Sequence, residues 1–228
     1  MKIFILGAAR SGTTALSLGF MEQGYFPIGE PYNYNMEERE DYPYPLTNLD
    51  EHENVLCKSL GYQVAKERHK KVTPTEFQIE LSQYFDKVIL QERKEWDSHW
   101  ESYVNLFRQL ALKQKYNKEN NLPIHTFHKK FSVHNAWSPR ELKKEHYQYC
   151  IDRGLDKTLR EEKNIIREVS EKLNIEISFY EDLYGTDRNK SLEIIKSWNI
   201  PGLDNEKLNE YLHPRKKLRK EIGNKNLI

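Results

Sequence analysis

The sequence predicts an α/β fold of three layers, with a central, mostly parallel sheet and helices on both faces. Two observations carry this. Short apolar runs of strand length alternate with longer stretches whose apolar residues recur at helical spacing. No Pro/Gly/Ser-rich linker interrupts the 228 residues, so 1–228 reads as one domain. In such sheets ligands lie at the carboxyl ends of the strands, and the loops that leave those ends carry the chemistry.

Taken in order, Lys2 to Leu6 reads as a buried strand. Gly7 opens a loop, and a helix starts at Gly12-Thr13-Thr14, with apolar positions Leu16, Leu18, Phe20 and Met21 and an end near Gly24. Tyr25 to Gly29 reads as a short strand or extended segment that brings Glu30 to the edge of the sheet where the first loop lies. Pro31 keeps Glu30 extended. Tyr32 to Asn54, rich in Tyr, Asn, Pro and acidic residues, reads as an irregular loop of a length that is uncommon unless it has a function. Asn54 to Lys58 is a second buried strand ending in a cation. Thr73 caps a helix from Pro74 to Phe85. Lys87 to Gln91 is a third parallel strand, with Arg93 directly after it, and a long helix follows from Trp96 to Tyr116. Asn117 to Ser138 is a polar connection. Ser138-Pro139 makes an N-cap and N1 pair that starts a helical region reaching Leu173, with a break at Gly154. Leu155, Leu159, Ile166, Val169 and Leu173 keep the helical period there. Glu176 to Tyr180 is a further strand. Helices over Lys190 to Trp198 and Asp204 to Leu212 are separated by Pro201, and the tail from His213 to Lys225 is basic.

Composition narrows the function classes. Thirty-six Lys and Arg against 35 Asp and Glu leave a net charge of +1, with both signs interleaved, so no global field favours nucleic acid. Cys57 and Cys150 form no CxxC pattern and no disulfide framework, which fits a reducing compartment. No apolar run approaches a membrane span, and the expectation is a soluble, cytoplasmic chain without membrane partners. His125, His128 and His134 have no metal-ligand spacing or helix to align them, so they read as solvated loop residues and no metal site is expected.

The first loop is the most informative stretch. A strand, a glycine-bounded loop and a helix cradle phosphate-like anions, because loop N–H groups turn inward and the helix N-terminus adds its dipole. The spacing from Gly7 to Gly12 is that of a Walker A loop, so a P-loop NTPase-like fold is the expectation, yet Thr13 stands where an NTPase has Lys. The cation sits inside the loop instead, as Arg10, whose guanidinium can grip an oxyanion in a bidentate manner. After the third strand the chain runs into Gln91-Glu92 and shows no Walker B Asp.

Ala8-Ala-Arg-Ser-Gly-Thr-Thr-Ala-Leu16 resembles the 5′-phosphosulfate loop of the sulfotransferases, which transfer a sulfuryl group from 3′-phosphoadenosine 5′-phosphosulfate (PAPS). A small member of bacterial or phage type is the kind it looks like. The resemblance implies that Ala9, Arg10, Ser11, Gly12, Thr13 and Thr14 hold the phosphosulfate. Arg93, with Ser102 on the next helix, is similar to the family's 3′-phosphate motif, and Trp100-Glu-Ser-Tyr103 echoes its end. The spacing is one residue longer than in many relatives, which makes Ser98 a rival. Gly29-Glu-Pro-Tyr32 resembles a Gly-Glu-Pro-Phe segment whose Glu is the proposed base, a role this assigns to Glu30. Cys57-Lys58-Ser59-Leu60 matches a Lys-Thr-His segment with the Lys kept and the His absent, which leaves Lys58 to face the transferring group. Phe179-Tyr-Glu-Asp-Leu183 resembles a recurrent structural element, with Tyr180 supporting the site. The basic tail, Arg219 included, is placed by the resemblance over the nucleotide.

The function implied is in-line sulfuryl transfer to an acceptor hydroxyl, with catalytic Glu30, Lys58 and Arg10, product 3′,5′-ADP and no metal requirement. The acceptor is a small molecule, carbohydrate or peptide, and the aromatic loop after Tyr32 would suit stacking. Two alternatives stay open at this point: a P-loop kinase or NTPase, and a nucleotide-binding module without catalysis.

Overall fold

The computed structural model describes residues 1–32, 46, 49–65, 68–123 and 142–213. These form two compact units, the first from Met1–Lys94 and Leu159–His213, the second from Glu95–Thr158. Outside the described residues lie most of the aromatic loop after Tyr32, the three loop histidines, the Ser138-Pro139 helix start and the basic tail with Arg219.

The first unit is built on a five-stranded, all-parallel sheet in the order β2-β3-β1-β4-β5. Its strands are β1 (Lys2–Gly7), β2 (Phe26–Gly29), β3 (Val55–Leu60), β4 (Lys87–Glu92) and β5 (Ile177–Phe179). Helices surround it: α1 (Thr13–Met21), α2 (Pro74–Ser82), α5 (Leu155–Leu173), the single turn α6 (Tyr180–Leu183), α7 (Arg188–Ser197) and α8 (Asn205–Leu212). The second unit contains α3 (Trp96–Glu119) and α4 (Lys144–Asp152), and α5 begins in it. Among the described residues no helix is long and apolar enough to cross a membrane.

The strands alternate between two buried faces, as their near-continuous apolar runs require. Ile3, Ile5, Leu56 and Ile89 join Leu16 and Phe20 of α1, Ile195 of α7 and Leu208 and Leu212 of α8 in one core. Phe4 faces the other way and stacks on Phe85 with ring centroids 5.2 Å apart. Helix ends follow local chemistry. Thr73 and Glu76 form a reciprocal capping box at α2, and Asp187 and Asp204 accept from N-terminal amides of α7 and α8. Gly24 (φ 88°) takes the chain out of α1, and Gly154 (φ 69°) separates α4 from α5 where a break was expected.

One boundary differs in a way that matters. The second long strand does not end at Lys58 but continues to Leu60, because Leu6 and Gly7 of β1 offer parallel partners to Ser59 and Leu60. Lys58 is therefore held inside a paired strand. The topology also has a switch point. From central β1 the chain goes to β2 and β3 on one side, then crosses to β4 on the other. The loops after β1 and β4 part there, which is where open parallel sheets bind ligands.

Candidate functional site

Residues 8–12 leave the carboxyl end of β1 and turn into α1. Their shape depends on two glycines. A Cβ at Gly7 would stand 2.4 Å from Thr13 Cγ2 and 2.9 Å from the Gln91 carbonyl oxygen. Gly12 has φ 94°, and a Cβ there would meet the rings of Tyr180 and Tyr184 at 2.8 Å. Arg10 adopts φ 68° without being glycine, a costly conformation that surrounding structure must impose. The imposing contacts are present. Arg93 Nε donates to the Arg10 carbonyl at 3.0 Å, and Tyr184 Oη donates to the Gly12 carbonyl at 2.8 Å. Tyr184 in turn accepts from Gln91 Nε2 at 3.2 Å.

The loop's own polar groups divide into two sets. Ser11 is fully buried, and both its amide and its hydroxyl donate to the Ala8 carbonyl, at 3.1 and 2.7 Å. Thr13 is buried with its methyl under Gly7, so this position turns toward the strand. Ala9 N–H donates to Glu162 Oε2 at 2.6 Å. The half-buried Arg10 and the exposed Thr14 form the outward set. Burial and the neighbouring Arg93 both pull the Arg10 pKa down, and Tyr180 opposes them. Two guanidinium groups beside each other in a partly dry site are a standing electrostatic cost that a bound anion removes.

Each flank of the loop carries one arm. On the β3 side, Lys58 Nζ lies 2.5 Å from Glu30 Oε1 and donates to Thr14 Oγ1 at 3.1 Å. The other Glu30 oxygen accepts from Gln63 Nε2 at 2.9 Å. This links the expected base, the expected lysine and the first turn of α1. On the β4 side, the Arg93 guanidinium stacks on Tyr180 with Cζ 3.9 Å from the ring centroid, and Tyr180 stacks on Tyr184 at 4.6 Å. Lys163 Nζ donates to the Arg93 carbonyl at 2.7 Å and lies 2.9 Å from Glu92, which also meets Arg167 at 3.0 Å. Arg93 is thus held by both its backbone and its side chain.

The fold unites Arg10, Thr14, Glu30, Lys58 and Arg93 at one edge of the first unit. Ser98 and Ser102 belong to α3 in the second unit, where the Ser98 hydroxyl donates to the Glu95 carbonyl at 3.2 Å. Arg219 lies outside the described residues.

Several residues of this site escaped the sequence reading. Glu162 had a signal. Leu159, Ile166 and Val169 form a buried stripe on α5, and position 162 falls in that stripe as a glutamate. Lys163 and Gln63 had none, because their partners are distant in sequence. Tyr180 was expected as support, and it is the ring under Arg93. Among the described residues no group of three or more His, Cys, Asp or Glu is arranged to hold a metal ion. No family model, curated protein or solved structure matches this chain.

Proposed function

We propose that this chain is a PAPS-dependent sulfotransferase with a P-loop-like fold. The observation that carries the reading is the meeting of two chemically different arms on one loop at the switch point of the sheet. Lys58 joins Glu30 to Thr14 on one side, and Arg93 binds the Arg10 carbonyl on the other.

In this reading Arg10 and the N-terminus of α1 bind the 5′-phosphosulfate, and Arg93 adds a second cation for the nucleotide. An acceptor oxygen attacks sulfur in line, the bond from sulfur to the bridging phosphate oxygen breaks, and 3′,5′-ADP leaves with the charge. Sulfur keeps its oxidation state. Glu30 takes the acceptor proton, and Lys58 offsets charge at the transferring group. Glu30 suits this because its side chain is 15 % exposed, so it is partly dry yet open to an acceptor. Thr13 in place of the NTPase lysine, packed beneath Gly7, argues against a nucleoside triphosphate.

Calorimetry with 3′,5′-ADP and with ATP–Mg²⁺ tests the reading. The expected outcome is 3′,5′-ADP affinity at least about tenfold above that for ATP–Mg²⁺. Transfer of labelled sulfate from PAPS to hydroxyl acceptors should follow. Preference for ATP would overturn the proposal, and tight 3′,5′-ADP binding with no transfer to any acceptor would make the chain a nucleotide-binding module.

A further inference from the structure

Glu162 has no role in the mechanism above, yet it touches the loop that the mechanism depends on. It is fully buried on α5, among Leu159, Ile165, Ile166 and Val169. The close approach is made by Gly61, where a Cβ would stand 3.1 Å from the Glu162 carbonyl oxygen. Oε2 accepts the Ala9 amide at 2.6 Å, which fixes the carboxyl group against the anion loop. Oε1 is buried and has no hydrogen-bond partner among the described residues. A carboxylate in that position would leave a charged oxygen dry and unpaired, which folded proteins avoid.

We propose that Glu162 is a ligand-binding acid of this loop: Oε2 is pinned by the Ala9 amide, and Oε1 carries a proton that it donates in a hydrogen bond to an oxygen of the bound oxyanion. The inference deepens the sulfotransferase reading and rests on it. A neutral carboxylic acid in an anion site adds a donor without adding repulsion, whereas its ionised form would repel the same ligand.

The surroundings agree on the direction. Burial pushes the Glu162 pKa up to about 8, against the hydrogen bond from Ala9. Glu30 from the end of β2 and Glu161 on the same helix push it further in that direction. The cations nearby in the fold are committed elsewhere: Lys58 to Glu30 and Thr14, and Lys163 to Glu92 and the Arg93 carbonyl. Arg10 follows Ala9 in the loop, beside Arg93. Glu162 therefore holds its proton at neutral pH and loses it within the alkaline range in which the folded protein can be studied.

The sign is fixed. As pH rises through about 8 the donor becomes a like charge, and anion affinity falls. Titration calorimetry of wild type and Glu162→Gln with 3′,5′-ADP, from pH 6.5 to 9 in buffers of different ionisation enthalpy, reads this directly. The wild-type Kd should rise roughly tenfold between pH 7 and 9 relative to the variant, whose amide N–H replaces the donor. Wild type should take up about one proton per ligand bound at pH 9, where the ligand's phosphates are fully ionised and contribute none. Parallel pH profiles in the two proteins, or no proton uptake by wild type, would overturn the proposal. If the variant does not fold, the wild-type uptake decides alone. If neither protein binds 3′,5′-ADP at any pH, the sulfotransferase reading fails, and the same titrations with sodium sulfate decide the role of Glu162. Absence of the pH effect with sulfate, or of any sulfate binding, would overturn that role as well.

Discussion

The two flanks of the loop between β1 and α1 each place a glutamate beside a lysine, and the two pairs have different fates. On the β4 flank, Glu92 is 0 % exposed and Lys163 7 %, and Arg167 and the Arg93 carbonyl complete the group. Every charge there has a partner, and the result is a fixed mount for Arg93. On the β3 flank, Glu30 and Lys58 are 15 % and 13 % exposed, and both reach beyond their own pair, to Gln63 and to Thr14. A buried, fully compensated pair is inert because any change leaves a charge unpaired in a dry place. A pair near the surface can exchange its partner for a substrate. In the proposed function, identical residue types divide into support and chemistry according to solvent access and the number of partners.

Three experiments test that division. The largest effect is expected from Glu30→Gln. Sulfate turnover should fall roughly 100- to 10,000-fold, as for loss of a general base. Affinity for 3′,5′-ADP, measured by calorimetry, should stay within about threefold, because the residue acts on the acceptor. Equal losses in turnover and in nucleotide affinity would make Glu30 another mount. Next is Glu92→Gln, which strands Lys163 and Arg167. Urea unfolding should report a loss of about 3–5 kcal/mol, the usual consequence of breaking a buried pair. A loss under about 1 kcal/mol would place this flank with the exchangeable one. The smallest is Arg93→Lys. A lysine keeps the charge but cannot both bind the Arg10 carbonyl through Nε and lie flat on Tyr180. Affinity for 3′,5′-ADP should fall about tenfold with little change in stability. An unchanged affinity would mean that the stacked, anchored geometry has no bearing on the nucleotide.

Much of this site was legible along the chain. Gly7 and Gly12 stand at either end of the loop, Arg10 within it, and Glu30, Lys58 and Arg93 each lie close after or within an apolar run. Such signals are local, since a strand's length and a loop's glycines are written in adjacent residues. What escaped was the set of residues that hold the site from a distance: Gln63, Glu162 and Lys163. Glu162 meets Ala9 across 153 positions of sequence, and Lys163 meets Arg93 across 70. Only Glu162 had a hint, in the apolar stripe of α5 that it interrupts.

Local pattern was therefore sufficient for the alternation of strands and helices, the cap at Thr73, and the glycine-bounded loop between β1 and α1. Each of these is decided within a few residues by backbone geometry and hydrogen bonding. The strand order, the extension of β3 past Lys58 and the burial of a carboxyl group against the Ala9 amide came from folding. They depend on which distant surfaces are driven together when both faces of the sheet leave water, and no stretch of sequence holds that information alone.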